Sequence, residues 1–154
     1  MSIVAAGQPA PDFTLARFEA EPFTRADLLG ATTLLIFYPF AFSPVCTDQL
    51  GVYQELLDDL AERGTTPYGV SCDAVWSQQA FREQLGLTIE QLSDFEPKGA
   101  ACRAFGVLHP GGFPQRALVL VGPGAVVEWS YEAPSPAELP GANLIFDALD
   151  AAAV

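Results

Sequence analysis

Thr32–Cys46 reads TTLLIFYPFAFSPVC. Its first half, Thr32–Tyr38, is a continuous apolar and β-branched run, the pattern of a central strand covered on both faces. Pro39 stops the run. Ser43 has the side chain of a helix N-cap, and Pro44 suits a first helical position. Beyond it, Leu50, Tyr53, Leu57 and Leu60 recur at three- and four-residue spacing, which predicts a helix over Pro44–Arg63. Gly64 fits just past its end. A buried strand running into an amphipathic helix is the building unit of an α/β fold.

The rest of the chain extends that alternation. Pro67–Ser71 reads as a short strand. Val75–Leu85 reads as a helix, with Asp73 as its cap and Gly86 as its stop. Gln91–Phe95 is a further short strand, and Pro97–Phe105 a helix that opens on Pro97 and ends at Gly106. Arg116–Tyr131, RALVLVGPGAVVEWSY, predicts two strands joined by a Gly-Pro-Gly turn. Gly141–Ala153 closes the chain as a helix with Leu144, Ile145 and Leu149 on one side. His109–Gln115 and Glu132–Gly141 are rich in proline and glycine and are expected as surface connections. The 154 residues fit one α/β domain, with a central mixed sheet flanked by helices.

Composition excludes several function classes. The net charge is −12, with Lys98 the one lysine beside six arginines, so polyanions are repelled and nucleic acid is not an expected partner. Met1–Phe13 has neither a basic stretch nor a long apolar core. Runs such as Leu34–Tyr38 are too short to cross a bilayer. A cytoplasmic protein with no membrane partner is expected. The three cysteines, Cys46, Cys72 and Cys102, are odd in number and widely spaced, which argues against a disulfide framework. No Cys-x-x-Cys pair occurs. No pair among these cysteines and His109 has metal-ligand spacing, so zinc is disfavoured and no metal or cofactor is expected.

Cys46 is the chemical centre of this pattern. With Ser43 as cap it is the third helical residue, where unpaired N–H groups and the positive end of the dipole favour an anion such as a thiolate. The strand-to-helix order places it beyond the carboxyl end of a central strand, where α/β sheets carry their sites. A buried free cysteine is the plainer alternative. The Ser43 hydroxyl could cap the helix, donate to the sulfur or donate to a substrate oxygen. Arg116 opens the very apolar strand ALVLV. It either snorkels at the sheet edge or faces a polar cavity. Nothing local brings His109 to Cys46. Trp76, at a helix start, and Trp129, in an alternating strand, read as packing residues.

At these residues the sequence becomes similar to a known family. Pro39–Cys46, PFAFSPVC, resembles the peroxiredoxin signature Pro-x-x-x-Thr/Ser-x-x-Cys. Gly7–Leu15, GQPAPDFTL, resembles the same family's N-terminal Ala-Pro-Asp-Phe segment. Leu92–Val107, LSDFEPKGAACRAFGV, and Arg116–Val127 are similar to its Asp-bearing strand with following helix and to its arginine-led hairpin. The one-cysteine alkyl hydroperoxide reductase E type is the nearest in flavour, with the bacterioferritin-comigratory type next. The resemblance implies a thioredoxin-like (peroxiredoxin) fold and a thiol-dependent peroxidase. It implies that Cys46 attacks the O–O bond of a hydroperoxide and becomes a sulfenic acid. Pro39 would shield the thiolate, Ser43 and the Cys46 N–H would bind the peroxide, and Arg116 would stabilise sulfur and leaving oxygen.

Three positions depart from that pattern. Ser43 stands where most relatives have threonine, Gln49 where many have a glutamate beside the arginine, and Gly51 where some have a resolving cysteine. Recycling by an external thiol is therefore favoured. The reductant would be a low-molecular-weight thiol with a glutaredoxin-like protein, or thioredoxin. Cys72, at the carboxyl end of its strand on the same sheet edge as Cys46, and Cys102 are the alternative resolving thiols. A homodimer is expected by resemblance, with Trp76 as one contact. Two further readings stand beside the enzyme: a binding protein that uses Cys46 oxidation as a switch, and a scaffold with inert cysteines.

Overall fold

Thr32–Phe37 is an inner strand paired on both edges, parallel to Thr65–Ser71 and antiparallel to Ala117–Val121. The computed structural model describes residues 2–135, 137–138 and 140–152. In chain order the first elements are β1 (Thr14–Arg17), β2 (Ala20–Thr24), β3 (Thr32–Phe37), α1 (Pro44–Gln54), α2 (Leu57–Glu62) and β4 (Thr65–Ser71). Then follow α3 (Val75–Leu85), β5 (Glu90–Ser93), α4 (Ala100–Ala104), β6 (Ala117–Val121), β7 (Val127–Glu132) and α5 (Ala142–Ala152). The strands form one sheet in the order β2-β1-β5-β4-β3-β6-β7. β3, β4 and β5 run parallel, and the outer pairings are antiparallel, so the sheet is mixed as expected. With helices covering it, this is the thioredoxin-like α/β fold.

Strand alternation sorts the core into two layers. Leu35, Phe37, Val70, Leu92, Val119 and Val121 face one side, where Phe13 and Phe105 pack with Cys72 and Cys102. Leu34, Ile36, Leu118 and Leu120 face the other, where α1, α2, α3 and α5 bring Cys46, Leu50, Tyr53, Leu60, Phe81 and Ile145. Each such apolar side chain contributes about 1.5–3 kcal/mol over an exposed one. A slip of one residue would exchange the layers, so packing fixes the register. That register also sets the side on which Arg116, two residues before Leu118, must lie.

Several expected boundaries shift. The helix predicted over Pro44–Arg63 is two helices. At the junction the Glu55 N–H donates to Val52 O (3.2 Å) and the Leu56 N–H to Tyr53 O (3.0 Å), a tightened i→i−3 turn in place of α-helical bonding. Gln54 there turns to Thr88, donating to its Oγ1 (2.8 Å) and accepting its N–H (2.9 Å). β4 begins two residues before Pro67. The helix expected from Pro97 starts at Ala100, because Gly99 enters it with a left-handed φ of 74°. Asp73 does not cap α3, whose N-cap position is Ala74. The β1–β2 hairpin was not anticipated; its strands are short and half-exposed, without clean alternation. Of the segment Glu132–Gly141, Pro136 and Leu139 lie outside the described residues, as does Ala153 at the end of the predicted last helix.

Candidate active site

Ser43 occupies the N-cap position of α1 with extended backbone, but its side chain does not cap the helix. The hydroxyl turns back and donates to Phe40 O at 3.1 Å. The first helical main-chain bond is from Thr47 N–H to Ser43 O (2.9 Å). The N–H of Cys46 precedes it and belongs to the donor set that a helix start leaves without intrahelical acceptors. Cys46 itself is fully buried. Gln49 and Tyr53, one and two turns on, lie on the same inward face.

Arg116 reaches this face from the opposite element. It stands just before β6 and is 2% exposed, so it does not snorkel. Its Nη2 donates to Cys46 Sγ at 3.1 Å, and its Nη1 donates to Gln49 Oε1. Gln49 Nε2 donates to Tyr53 Oη (3.4 Å), and the Tyr53 hydroxyl donates to Pro140 O (2.7 Å). Burial pushes the Tyr53 phenol up to about 12, so it stays a neutral donor. A buried guanidinium is tolerated only with partners of this kind. The chain of bonds runs from sulfur to cation to amide to phenol to main chain. It presents a guanidinium and first-turn N–H donors to one sulfur.

The loop over the site is braced. Pro39 is buried at the end of the strand run. Phe42 holds a left-handed φ of 70°, a strained state for a bulky residue. Asp73, expected as a helix cap, instead accepts the Ala41 N–H (2.8 Å) and the Ser71 hydroxyl (2.8 Å). Phe42 packs on Phe81 (5.2 Å between ring centroids) and Phe40 on Phe113 (5.0 Å). His109 stacks on Phe113 and accepts the Gly111 N–H, so it serves its own loop. Trp129 packs against the helix-covered layer. Trp76 does not pack inward; it is 70% exposed and meets only the edge of Phe18 among the ring contacts of the described residues.

Cys72 and Cys102 lie in the other core layer, across the sheet from Cys46. The shared sheet edge was legible for Cys72; its face was not. They come together with Asp94, all three offering ligand atoms within 4.8 Å of one another. Spacing along the chain gives no sign of that cluster. The sequence reading took Gln49 only as a departure from a glutamate beside the arginine, and Tyr53 only as part of an apolar helix face. The signal for both was present in the i, i+3 and i+7 spacing from Cys46.

The comparisons with known proteins agree on one family. The pattern of the AhpC/TSA family matches residues 6–130. Alkyl hydroperoxide reductase E of Mycobacterium bovis is 30% identical over 147 residues, covering 94% of this chain and 95% of that protein. Among solved structures, AhpC of Enterococcus faecalis superposes with a TM-score of 0.86 at 27% identity, covering 97% of this chain and 92% of that one. Peroxidoxin BcpB of Mycobacterium tuberculosis gives 0.82 at 25% identity, covering 96% and 97%. With the thioredoxin-like sheet and this degree of kinship, the chain belongs to the AhpC/TSA family and is a peroxiredoxin, a thiol-dependent peroxidase.

Proposed function

We propose that Cys46 is the peroxidatic nucleophile, acting on hydrogen peroxide and organic hydroperoxides. The observation that carries this is the 3.1 Å contact from Arg116 Nη2 to Cys46 Sγ in a buried site. The thiolate attacks one peroxide oxygen, the O–O bond breaks, and Cys46 becomes a sulfenic acid while the alkoxide leaves and takes up a proton. Arg116 faces the charge as it moves from sulfur to leaving oxygen. The Cys46 N–H and a rotated Ser43 hydroxyl bind the peroxide, and Pro39 closes one side. The exposed rings of Phe40 and Phe42 give organic peroxides an apolar approach.

An external thiol then attacks the sulfenic sulfur and releases water, and a second thiol frees Cys46 as a mixed disulfide is reduced. A low-molecular-weight thiol with a glutaredoxin-like protein, or thioredoxin, fits that role. The separation of Cys46 from Cys72 and Cys102 by the sheet supports this route over an internal bridge. The three free cysteines fit a reducing, cytoplasmic setting. The exposed Trp76 supports a homodimer.

Single-turnover oxidation tests the reading. Cys46 is expected to react with hydrogen peroxide and with an organic hydroperoxide far faster than free cysteine, and Cys46→Ser to abolish the reaction. Oxidation no faster than free cysteine sinks it. After one equivalent of peroxide, a sulfenic acid trapped on Cys46 supports the external thiol. A bridge from Cys46 to Cys72 or Cys102 overturns that route.

A further inference from the structure

Cys72 follows the carboxyl end of β4, and Cys102 sits in the middle of α4. Three hydrogen bonds through Asp94 hold them in register. The Asp94 carboxylate, just past β5, accepts the N–H of Ala101 at 3.0 Å and of Cys102 at 2.8 Å. The Asp94 N–H in turn donates to Ser71 O (2.8 Å), beside Cys72. α4 is thereby pinned to the end of β4, with the two sulfurs within 4.8 Å of each other. Each thiol hangs from a single rotatable bond, the freedom that a disulfide of about 2.05 Å draws on.

The pair is asymmetric. Cys102 is fully buried, whereas Cys72 keeps 9% of its surface. Interaction with Cys102 holds the Cys72 thiol below its ordinary range, and the same interaction together with burial pushes Cys102 up. A partly exposed sulfur beside a fully buried one, close together, is the arrangement of a dithiol with an outer, attackable member. Two thiols and a carboxylate could also hold a soft metal ion. Against that, both Asp94 oxygens are already committed to the main chain of α4.

We propose that Cys72 and Cys102 form a second redox centre, a dithiol that hydroperoxide converts to an intramolecular disulfide on the sheet face opposite Cys46. The Cys72 thiolate attacks a peroxide oxygen. The O–O bond breaks, Cys72 becomes a sulfenic acid, and the alkoxide leaves and is protonated to the alcohol. The Cys102 sulfur then attacks the Cys72 sulfur. The S–O bond breaks, the S–S bond forms, and hydroxide leaves with the Cys102 proton as water. Two thiols are oxidised to one disulfide, and one hydroperoxide is reduced to alcohol and water.

Trypsin separates the three cysteines onto peptides 26–63, 64–82 and 99–103, which makes the pairing directly readable. Cys46→Ser protein is treated with excess hydrogen peroxide, its remaining thiols are blocked, and it is digested without reductant. A species joining 64–82 to 99–103 is expected, abolished by a dithiol reductant and absent in Cys102→Ala, where Cys72 instead advances to sulfinic acid. Because Cys46 is missing, the result is independent of its role as peroxidatic nucleophile. Folded protein whose two thiols both stay free under peroxide overturns the proposal. So does a bridge from Cys46 to Cys72 in the wild type, or a stoichiometric metal whose removal unmasks both thiols.

Discussion

Arg116 is 2% exposed, so its orientation is set by what receives its N–H groups. Cys46 and Gln49 are both acceptors, and both lie on one helix face. Removing the donor should therefore act on the chemistry. Arg116→Ala is expected to slow Cys46 oxidation by about 10²–10³-fold, the range for loss of one oxyanion-type donor. Arg116→Lys should recover only part of this, since a single ammonium cannot span sulfur and amide as the guanidinium fork does. Single-turnover oxidation reads both, and a wild-type rate in Arg116→Ala would remove the residue from the site. Gln49 acts one step back, as a positioning residue. Gln49→Leu should slow oxidation by unseating Arg116, and Gln49→Glu should restore it by keeping an acceptor. Tyr53→Phe separates stability from chemistry: losing its bond to Pro140 O should cost about 0.5–1.5 kcal/mol in urea unfolding while the oxidation rate holds. A large rate loss with unchanged stability would contradict that division.

At the scale of elements, the start of α1 departs from ordinary capping, and this is testable. Replacing a working Ser cap by Ala costs about 0.5–2 kcal/mol. Here the hydroxyl bonds to Phe40 O rather than to a helix N–H, so Ser43→Ala should fall at or below the low end in urea unfolding while still slowing peroxide reduction. The reverse pattern would make Ser43 a structural cap. Asp94 does for α4 what Ser43 does not do for α1. Asp94→Ala leaves the buried N–H groups of Ala101 and Cys102 without their acceptor, a loss of about 1–3 kcal/mol for each. Part of the site was legible along single elements: Cys46 by the strand-to-helix turn and Arg116 as the cation opening an apolar strand, while Gln49 and Tyr53 carried an unread signal in their helical spacing from Cys46. What was hidden depends on neighbours distant in sequence. The face of Cys72 follows from β4 lying between β3 and β5. Its meeting with Cys102 depends on α4 folding back onto the end of β5. The break at Gln54 depends on Thr88, from another part of the chain.

At the scale of the molecule, a net charge of −12 and an exposed tryptophan act against each other in self-association. Like-charged copies repel, yet Trp76 at 70% exposure, edge-on to Phe18, offers the kind of aromatic anchor that interfaces bury. Trp76 sits on α3, whose Phe81 supports Phe42 in the loop before Cys46, so a dimer closing over Trp76 would brace the element beneath that loop. If the homodimer forms there, Trp76→Glu should weaken it by at least about 30-fold, the equivalent of about 2 kcal/mol for a buried aromatic. Salt should strengthen the wild-type dimer, because at 0.1 M the screening length falls to about 10 Å and mutes the repulsion between the two chains. Sedimentation velocity across concentration and ionic strength measures both effects. A wild-type protein that stays monomeric at high salt and concentration, or a Trp76→Glu variant that dimerises as well as the parent, would place any self-association surface elsewhere.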